Sequence, residues 1–432
     1  MVFLICNNGI IILGDIVLEN TFELLKKFED NGYKAYIVGG FVRDYILGIK
    51  SVDIDIATSA TPKEIQSIFK NVELPFEGYG SVFLTFKKYK YEVTTFRMDL
   101  EYKNNRHPSK IIYTDKLEID LKRRDFTMNT LAMDKDGNVI DLLNSTRDIK
   151  IKLIKTVGNA DFKLKEDSLR ILRAIRFATT LGFNLSDDLK NAIGNNRKLL
   201  KSLSFYRKKQ ELNKIFSSPN VIEGIKLLKK FKLDYYLDIN LDNQIVRTND
   251  PIGIWAQINP SLDYQFTNNE LSYLKAIRRI LEDKKIDNEE LYYDGTYVCY
   301  IAGQILGIDE KDIYDKFDNL PIRKKEDIKL SAKDMIDYLN LDDKSNIQDI
   351  FKDVKESTIF QEYEFIYNDD NIEKPGVIDL LIEHPSHIDI VDYKLSDVTD
   401  ENYLKQLNGY KDYILQKTNK PIHLYLYSIL EK

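Results

Sequence analysis

Residues 38–58 read VGGFVRDYILGIKSVDIDIAT, and no other stretch restricts the possible folds as strongly. A glycine pair, Gly39 and Gly40, closes one apolar run, and a short helical stretch carrying Arg43 follows. A second, β-branched run then bears Asp53 and Asp55 one residue apart. Side chains alternate faces along a strand, so both carboxylates project the same way. Two carboxylates on one edge, beside a glycine turn open to phosphates, suit Mg2+ and a nucleoside triphosphate. Gly39 and Gly40 let backbone amides approach a phosphate at a helix start, and Arg43, one turn in, can donate a bidentate contact. Adding a nucleotide to a 3′-hydroxyl is a phosphoryl transfer, in which two carboxylate-bridged cations activate the hydroxyl and neutralise the leaving pyrophosphate. A lone D-x-D is weak, because solvated strand edges often carry one; the whole string is far more specific.

The chain has 432 residues, enough for about two to four domains. With 43% hydrophobic and 31% charged residues it has a globular balance and no disorder signature. A net charge of −6 gives no global basic field, so any nucleic-acid contact must come from local patches. Two cysteines, Cys6 and Cys299, exclude a disulfide framework and a Cys-rich zinc site, and point to a cytoplasmic setting. The apolar start MVFLICNNGIIILGD is broken at Asn7-Asn8-Gly9 and reads as a strand or hairpin rather than a signal peptide, and no later run approaches a membrane span.

The expected architecture is α+β and multidomain. Residues 18–31 have helical periodicity, and strand-like and helical pieces then alternate to about residue 97, with Thr61-Pro62 as a helix start. Residues 98–118 lapse into a polar stretch that reads as a mobile loop. Asp136-Gly137 between two apolar runs is a hairpin signal. Residues 158–235 look almost wholly helical, and 240–357 helical but broken at Pro251, Pro260 and Pro321. Extended segments return near 358. The divisions expected are 1–150, 151–237, 238–357 and 358–432.

Asp167, Arg170, Arg173 and Arg176 recur every third residue through an apolar segment, neighbours along one drifting helical stripe. Such a stripe is usually a salt-bridged solvated face. It is also a possible protein template. Cytosine and adenine both present an amino group beside a ring-nitrogen acceptor, which a carboxylate and a guanidinium match. Guanine and uracil put a carbonyl where the amino group should be, a mismatch costing on the order of 1–3 kcal/mol per contact.

Together with YEVTTFR (91–97), KRRDFTMNTLA (122–132), GNVIDLL (137–143) and EDSLRILRAIRFATTLGF (166–183), in that order, the opening string resembles the class II tRNA nucleotidyltransferases and bacterial poly(A) polymerases of the polymerase-β superfamily. The resemblance spans roughly residues 20–357. It implies a nucleotidyltransferase head with a mixed or antiparallel sheet, a helical neck that reads bases, and a helical body and tail that grip tRNA. By the same analogy Gly40 and Arg43 contact the nucleotide, Asp53 and Asp55 bind Mg2+, and Arg124 contacts the triphosphate. Taken alone, Arg123, Arg124 and Asp125 would read as a surface ion-pair cluster. Asp167 with Arg170 would accept CTP and ATP and reject GTP and UTP, while Arg173 and Arg176 hold the helix or the phosphates. The activity implied is addition of C, C and A to tRNA 3′ ends, with A-only or poly(A) synthesis as the alternative.

Two details depart from the family pattern: Asn144-Ser145-Thr146 stands where a glycine pair is common, and Asn104 where an acid is common. The basic stretch 195–216, with Phe205 and Tyr206, suits either RNA phosphates or a charged outer face, and Trp255 reads as core. Residues 320–339 are similar to the family's closing segment.

In the last stretch, period-2 geometry puts Asp392 and Lys394 on one face and Asp379 on the neighbouring strand, a set able to hold Mg2+ and activate water. This segment resembles the RecB-like PD-(D/E)XK nuclease core, with a small α/β fold. Asp379, Asp392 and Lys394 match its catalytic positions, Glu362 an upstream acid, and Gln406 with Tyr410 its Q-x-x-x-Y helix. The resemblance leaves three possibilities: an active nuclease acting on DNA, a nucleic-acid binder, or a structural cap. His384 and His387 read as exposed turn residues.

Overall fold

The structure, a computed structural model, describes residues 3–6, 9–74, 80–103, 107–241, 244–258, 260–323, 357–369, 372–394 and 401–428. The chain divides into two compact units, Met1–Lys325 and Glu326–Lys432. The expected seam at 357/358 adjoins residues 324–356, which lie outside the described residues together with most of the 320–339 segment. Among the described residues no helix is long and apolar enough to cross a membrane.

The first unit starts with the expected hairpin, β1 (Phe3–Cys6) and β2 (Gly9–Ile12), followed by α1 (Leu13–Asp30). Its centre is a seven-stranded mixed sheet of β3 (Ala35–Val38), β4 (Asp55–Thr58), β5 (Val72–Glu73), β6 (Ser81–Phe86), β7 (Tyr89–Thr95), β10 (Ala132–Met133) and β11 (Val139–Ile140). The strand order is β11-β10-β3-β4-β7-β6-β5, with β4 and β7 parallel. Leu24, Leu25 and Phe28 of α1 are fully buried in one core with Ile37, Ile56, Val82 and Val93 of the sheet. Each such side chain contributes about 1.5–3 kcal/mol of burial.

Local chemistry sets the joints. Thr61 caps α3 (Pro62–Ile68) in a reciprocal capping box with Glu64, with Pro62 in the first turn. Gly137, at φ 79°, makes the turn between β10 and β11. Asn144 takes the left-handed φ of 57° that a glycine would supply, and Asp141 accepts the Ser145 and Thr146 amides at the start of α5 (Ser145–Lys150). The departure at 144–146 therefore preserves the turn.

The stretch expected to be a loop is structured. Arg97–Lys103 (β8) pairs antiparallel with His107–Tyr113 (β9), and α4 (Leu117–Lys122) follows. Its polar composition hides a two-stranded ribbon whose backbone groups satisfy one another without a core. Asn104 lies outside the described residues.

The helical part begins with α6 (Ala160–Glu166) and α7 (Leu169–Leu181), flanked by the short parallel pair β12 (Leu153–Ile154) and β13 (Asn184–Leu185), and continues through α8 (Asp187–Asn196), α9 (Phe205–Phe216) and α10 (Val221–Lys230). Trp255 is buried and donates to Asn213 Oδ1 at 2.7 Å, as expected of a core residue. The basic stretch is partly turned inward. Lys208 is buried against Asp238 and the Tyr236 carbonyl, and Lys209 pairs with Glu270 at 2.7 Å.

The second unit is a four-stranded sheet, here β14 (Thr358–Asp369), β15 (Ile372–Glu383), β16 (Ile388–Lys394) and β17 (Ile422–Ser428), in that order. The helix Glu401–Leu415 crosses from β16 to the parallel β17. Leu407, Tyr410 and Ile414 of that helix pack on Ile378, Leu381, Ile388 and Ile390.

Candidate nucleotide and metal site

The antiparallel register pairs Val38 with Asp55, so the Gly39-Gly40 turn leaves β3 beside the first residue of β4. Asp53 precedes the strand rather than lying in it, yet the alternation holds: Asp53 and Asp55 are exposed and Ile54 between them is buried. On the other side of β4, the parallel register sets Glu92 of β7 opposite Asp55. Desolvation by its surroundings, then the Asp53 and Glu92 charges, push the Asp55 carboxyl up to about 6, with Arg124 pulling the other way. This donor set of three carboxylates is the kind a hard divalent cation takes, and the crowding of like charge is what such a cation relieves. Glu92 was not singled out in the sequence, though its outward place in YEVTTF was a usable signal.

Gly39 combines φ 78° with a close approach. A Cβ there would come 3.2 Å from Arg124 Nη1. Arg124 is held by Asp120 Oδ2 at 3.1 Å, and Asp120, fully buried, also takes Arg123 Nη2 at 2.7 Å. Arg124 Nε is buried with no hydrogen-bond partner among the described residues. The Arg124 guanidinium therefore presents Nη1, not the buried Nε, to the glycine turn, where a phosphate oxygen would accept from it. The pair of arginines is thus fastened to the head and is no loose surface cluster. Asp120, three and four residues ahead of them on a helix, was a legible clue.

Arg43 lies at the glycine turn, its Nη2 3.6 Å from where a Cβ on Gly40 would sit. It is buried, pairs with Asp44 at 2.7 Å, and donates through Nη1 to Asn129 Oδ1 at 2.7 Å. Asn129 donates in turn to Asp125 Oδ1 at 3.2 Å, and Asp125 Oδ2 takes Arg173 Nε at 2.6 Å. A continuous polar chain therefore runs from α2 (Gly40–Ile46) to α7. The guanidiniums of Arg43, Arg173 and Arg176 also gather round the Phe177 ring, at 5.2, 5.5 and 4.3 Å. Arg176 pairs with buried Glu211 at 3.3 Å. Each of these guanidiniums has a carboxylate partner, as burial demands of Arg43 and Arg176, while Arg173 is 32% exposed.

The stripe from 167 to 176 is not one helix. Asp167 lies in extended backbone after α6, and α7 begins two residues later. Asp167 is half-buried and accepts the Leu169 amide at 3.1 Å. Arg170 is buried and donates to Glu166 Oε2 at 2.6 Å, to the Lys163 carbonyl at 2.8 Å and to the Arg123 carbonyl at 3.3 Å. α6 ends at Glu166, and across the break Arg170 of α7 bonds back to α6 and to the arginine motif.

In the second unit the last β15–β16 pair is Leu380 with Val391, which sets Asp379 and Asp392 across from each other one step past the paired ladder. Asp392 is buried, Asp379 half-buried, and Gln406 donates to the Tyr410 hydroxyl. The side chains of Glu362 and Lys394 lie outside those described. His384 and His387 are not exposed turn residues: His384 is buried and His387 half-buried, both turned toward Asp389.

Residues 35–155 match the poly A polymerase head domain, and residues 182–237 match a probable RNA and SrmB-binding site of polymerase A. The chain is 33% identical over 349 residues to the CCA-adding enzyme of Ligilactobacillus salivarius, covering 74% of this chain and 86% of that one. It is 32% identical over 385 residues to the CCA-adding enzyme of Geobacillus kaustophilus, covering 81% and 95%. The structure is similar to that of the Bacillus stearothermophilus CCA-adding enzyme in complex with CTP, with a TM-score of 0.65, 29% identity, and 75% and 88% of the two chains covered.

Proposed function

This chain belongs to the CCA-adding enzyme family, and on that premise we propose that it adds C, C and A to the 3′ ends of tRNA from CTP and ATP without a nucleic-acid template. The observation that carries this reading is the register pairing Val38 with Asp55, which sets the glycine turn, the acid pair and Arg124 on one edge. Membership in a nucleotidyltransferase family implies a divalent metal, and we assign it as Mg2+ held by Asp53 and Asp55 with Glu92 beside them. When bound, that cation supplies charge neutralisation at the reacting phosphate.

The chain's own groups supply the rest. Arg124, through the Nη1 that lies against Gly39, binds a triphosphate oxygen at the Gly39-Gly40 turn. Arg43 ties α2 to the neck so that this turn and the base-reading segment keep one spacing. Asp167 accepts from the amino group of cytosine or adenine, and Arg170 is the donor partner, oriented by Glu166. We divide the chain as a catalytic head over 1–150, a base-recognition neck over 151–237, a tRNA-binding body and tail over 238–357, and a distinct domain over 358–432.

The test is incubation of the purified chain with tRNA lacking its terminal nucleotides, Mg2+ and each labelled triphosphate. C, C and A are expected to be incorporated, and UTP and GTP refused. No incorporation, or equal use of all four, defeats the reading, and a longer tail of A alone moves it to poly(A) synthesis. Asp167→Ala is expected to relax discrimination against UTP and GTP by roughly 10–100-fold, the size of one lost polar contact, with Mg2+ dependence unchanged. Unaltered selectivity in that variant counts against selection by Asp167.

A second reading concerns residues 358–432. The facing of Asp379 and Asp392 just beyond the ladder supports a Mg2+-dependent nuclease site completed by Lys394 and Glu362, with Gln406 and Tyr410 on the adjoining helix. Degradation of linear DNA that disappears in Asp392→Ala and survives Asp55→Asn supports it. No such degradation by the parent chain leaves a binding or structural domain.

A further inference from the structure

Three of the four histidines in the chain, His384, His387 and His423, converge on one carboxylate, that of Asp389. We infer that these four residues form a transition-metal site in the second unit, with zinc as its ion.

The fold assembles it from two places. The turn His384-Pro385-Ser386-His387 joins β15 to β16 and stacks the two imidazoles with centroids 4.2 Å apart. Asp389 is the second residue of β16, and the parallel register sets His423 of β17 directly beside it. His384 Nε2 lies 3.1 Å from Asp389 Oδ2, His423 Nδ1 lies 3.1 Å from Oδ1, and His387 Nε2 lies 3.5 Å from Oδ1. The donor atoms of His384, His387 and Asp389 are all within 4.8 Å of one another. A tetrahedral ion with bonds of about 2.0–2.1 Å separates its ligands by about 3.3 Å, and the three spacings fall on either side of that value. The His387 spacing is long for a hydrogen bond and ordinary for two ligands of one ion.

The surroundings fit the same ion. Asp389 is 1% exposed and His384 2%. Among the described residues no lysine or arginine pairs with Asp389, so a buried carboxylate faces only imidazoles. A dication supplies the charge this carboxylate lacks. The other ring nitrogens are already oriented: Ser357 Oγ sits 2.8 Å from His384 Nδ1, and Ser386 Oγ 2.9 Å from His387 Nδ1. Partners of this kind fix the ring orientation of metal-bound histidines. His423, with a side chain 51% exposed, leaves an entry path. Three nitrogens and one oxygen suit zinc and disfavour Mg2+ or Ca2+, which take oxygen ligands. The site is separate from the Asp379–Asp392 pair, since residues 389 and 392 point to opposite faces of β16. His384, His387 and Asp389 form its close set, and His423, on the same Asp389 oxygen, is the side chain that would complete it and fasten the β15–β16 turn to the last strand of a small sheet.

The test uses the full-length, tag-free chain stripped with chelator and titrated with Co2+ and then Zn2+. The expected result is stoichiometric uptake, with the visible absorption of tetrahedral Co2+ displaced by Zn2+ and not by excess Mg2+. Asp389→Asn and His423→Gln are expected to weaken uptake by roughly 100-fold or more while nucleotide incorporation on tRNA stays unchanged. A hydrogen-bonded histidine–carboxylate network without metal predicts no uptake by the parent chain. That result overturns the inference, as does uptake by both variants as tight as the parent's. If a variant does not fold, the parent titration and its spectrum decide alone.

Discussion

Asp55→Asn is expected to lower nucleotide incorporation on the order of 10³–10⁴-fold, the several kcal/mol that a carboxylate-held cation supplies, without unfolding the head. The same loss is expected of Asp53→Ala. The Asp55 carboxyl is pushed up to about 6 by desolvation and by the Asp53 and Glu92 charges. Its folded value thus lies above the ordinary carboxylate range. For such a group the stabilising contribution is present in acid and is lost as pH rises through about 6, because the folded chain binds the proton more tightly than the unfolded one. At neutral pH the site stores like-charge repulsion, and Asp55→Asn removes it. The melting temperature of this variant should therefore hold or rise while activity collapses. In the metal-free parent chain, stability should decline as pH rises through about 6, where the carboxylate forms, and then level off. Glu92→Gln removes one of the causes and should shift that decline to lower pH. Incorporation within tenfold of the parent in Asp55→Asn, or an identical pH profile in Glu92→Gln, contradicts the assignment of this edge.

Asp125→Ala is expected to cost about 3–5 kcal/mol of stability in denaturant unfolding, the usual penalty for removing one partner of a buried ion pair. Burial alone would raise the Asp125 carboxyl. The Arg173 charge, the Asn129 and Arg173 hydrogen bonds and the Phe126 amide outweigh it and hold the group down at about 2. A depressed carboxylate contributes stability above its unfolded value, near 4, and that contribution is lost as pH falls through about 2. The stability difference between parent and variant should therefore be full at neutral pH and shrink in acid. Arg173→Met in the Asp125→Ala background should recover part of the loss, because it removes the stranded charge. Selectivity among triphosphates should fall as well, since Asp125 is the link between Asn129, which holds Arg43, and Arg173 in the neck. A destabilisation below 1 kcal/mol would show that the chain of contacts from α2 to α7 carries little.

Much of the site was legible because its signals are local. The glycine turn, the alternating aspartates, the capping box at Thr61 and the Asp136-Gly137 hairpin each depend on residues a few positions apart. Asp120 and Glu92 are equally local signals. The ribbon at 97–113 is not legible in the sequence, because two strands that satisfy only each other need no apolar alternation. Nor is the break before α7, because spacing alone does not distinguish a continuous helix from two helices joined at an extended residue.

Taken by itself, the order of residues determined where the strands and helices of the head begin, which two aspartates share a side, and which family the chain joins. Those properties follow from periods of two and 3.6 residues and from backbone chemistry within a turn. Only the tertiary structure decided that Arg43 is tied to Asn129, that Arg170 is held by Glu166, and that His423 meets Asp389 from 34 residues away. Such partnerships depend on strand register and on the demand that every buried charge be paired, and neither is written in the spacing of residues along the chain.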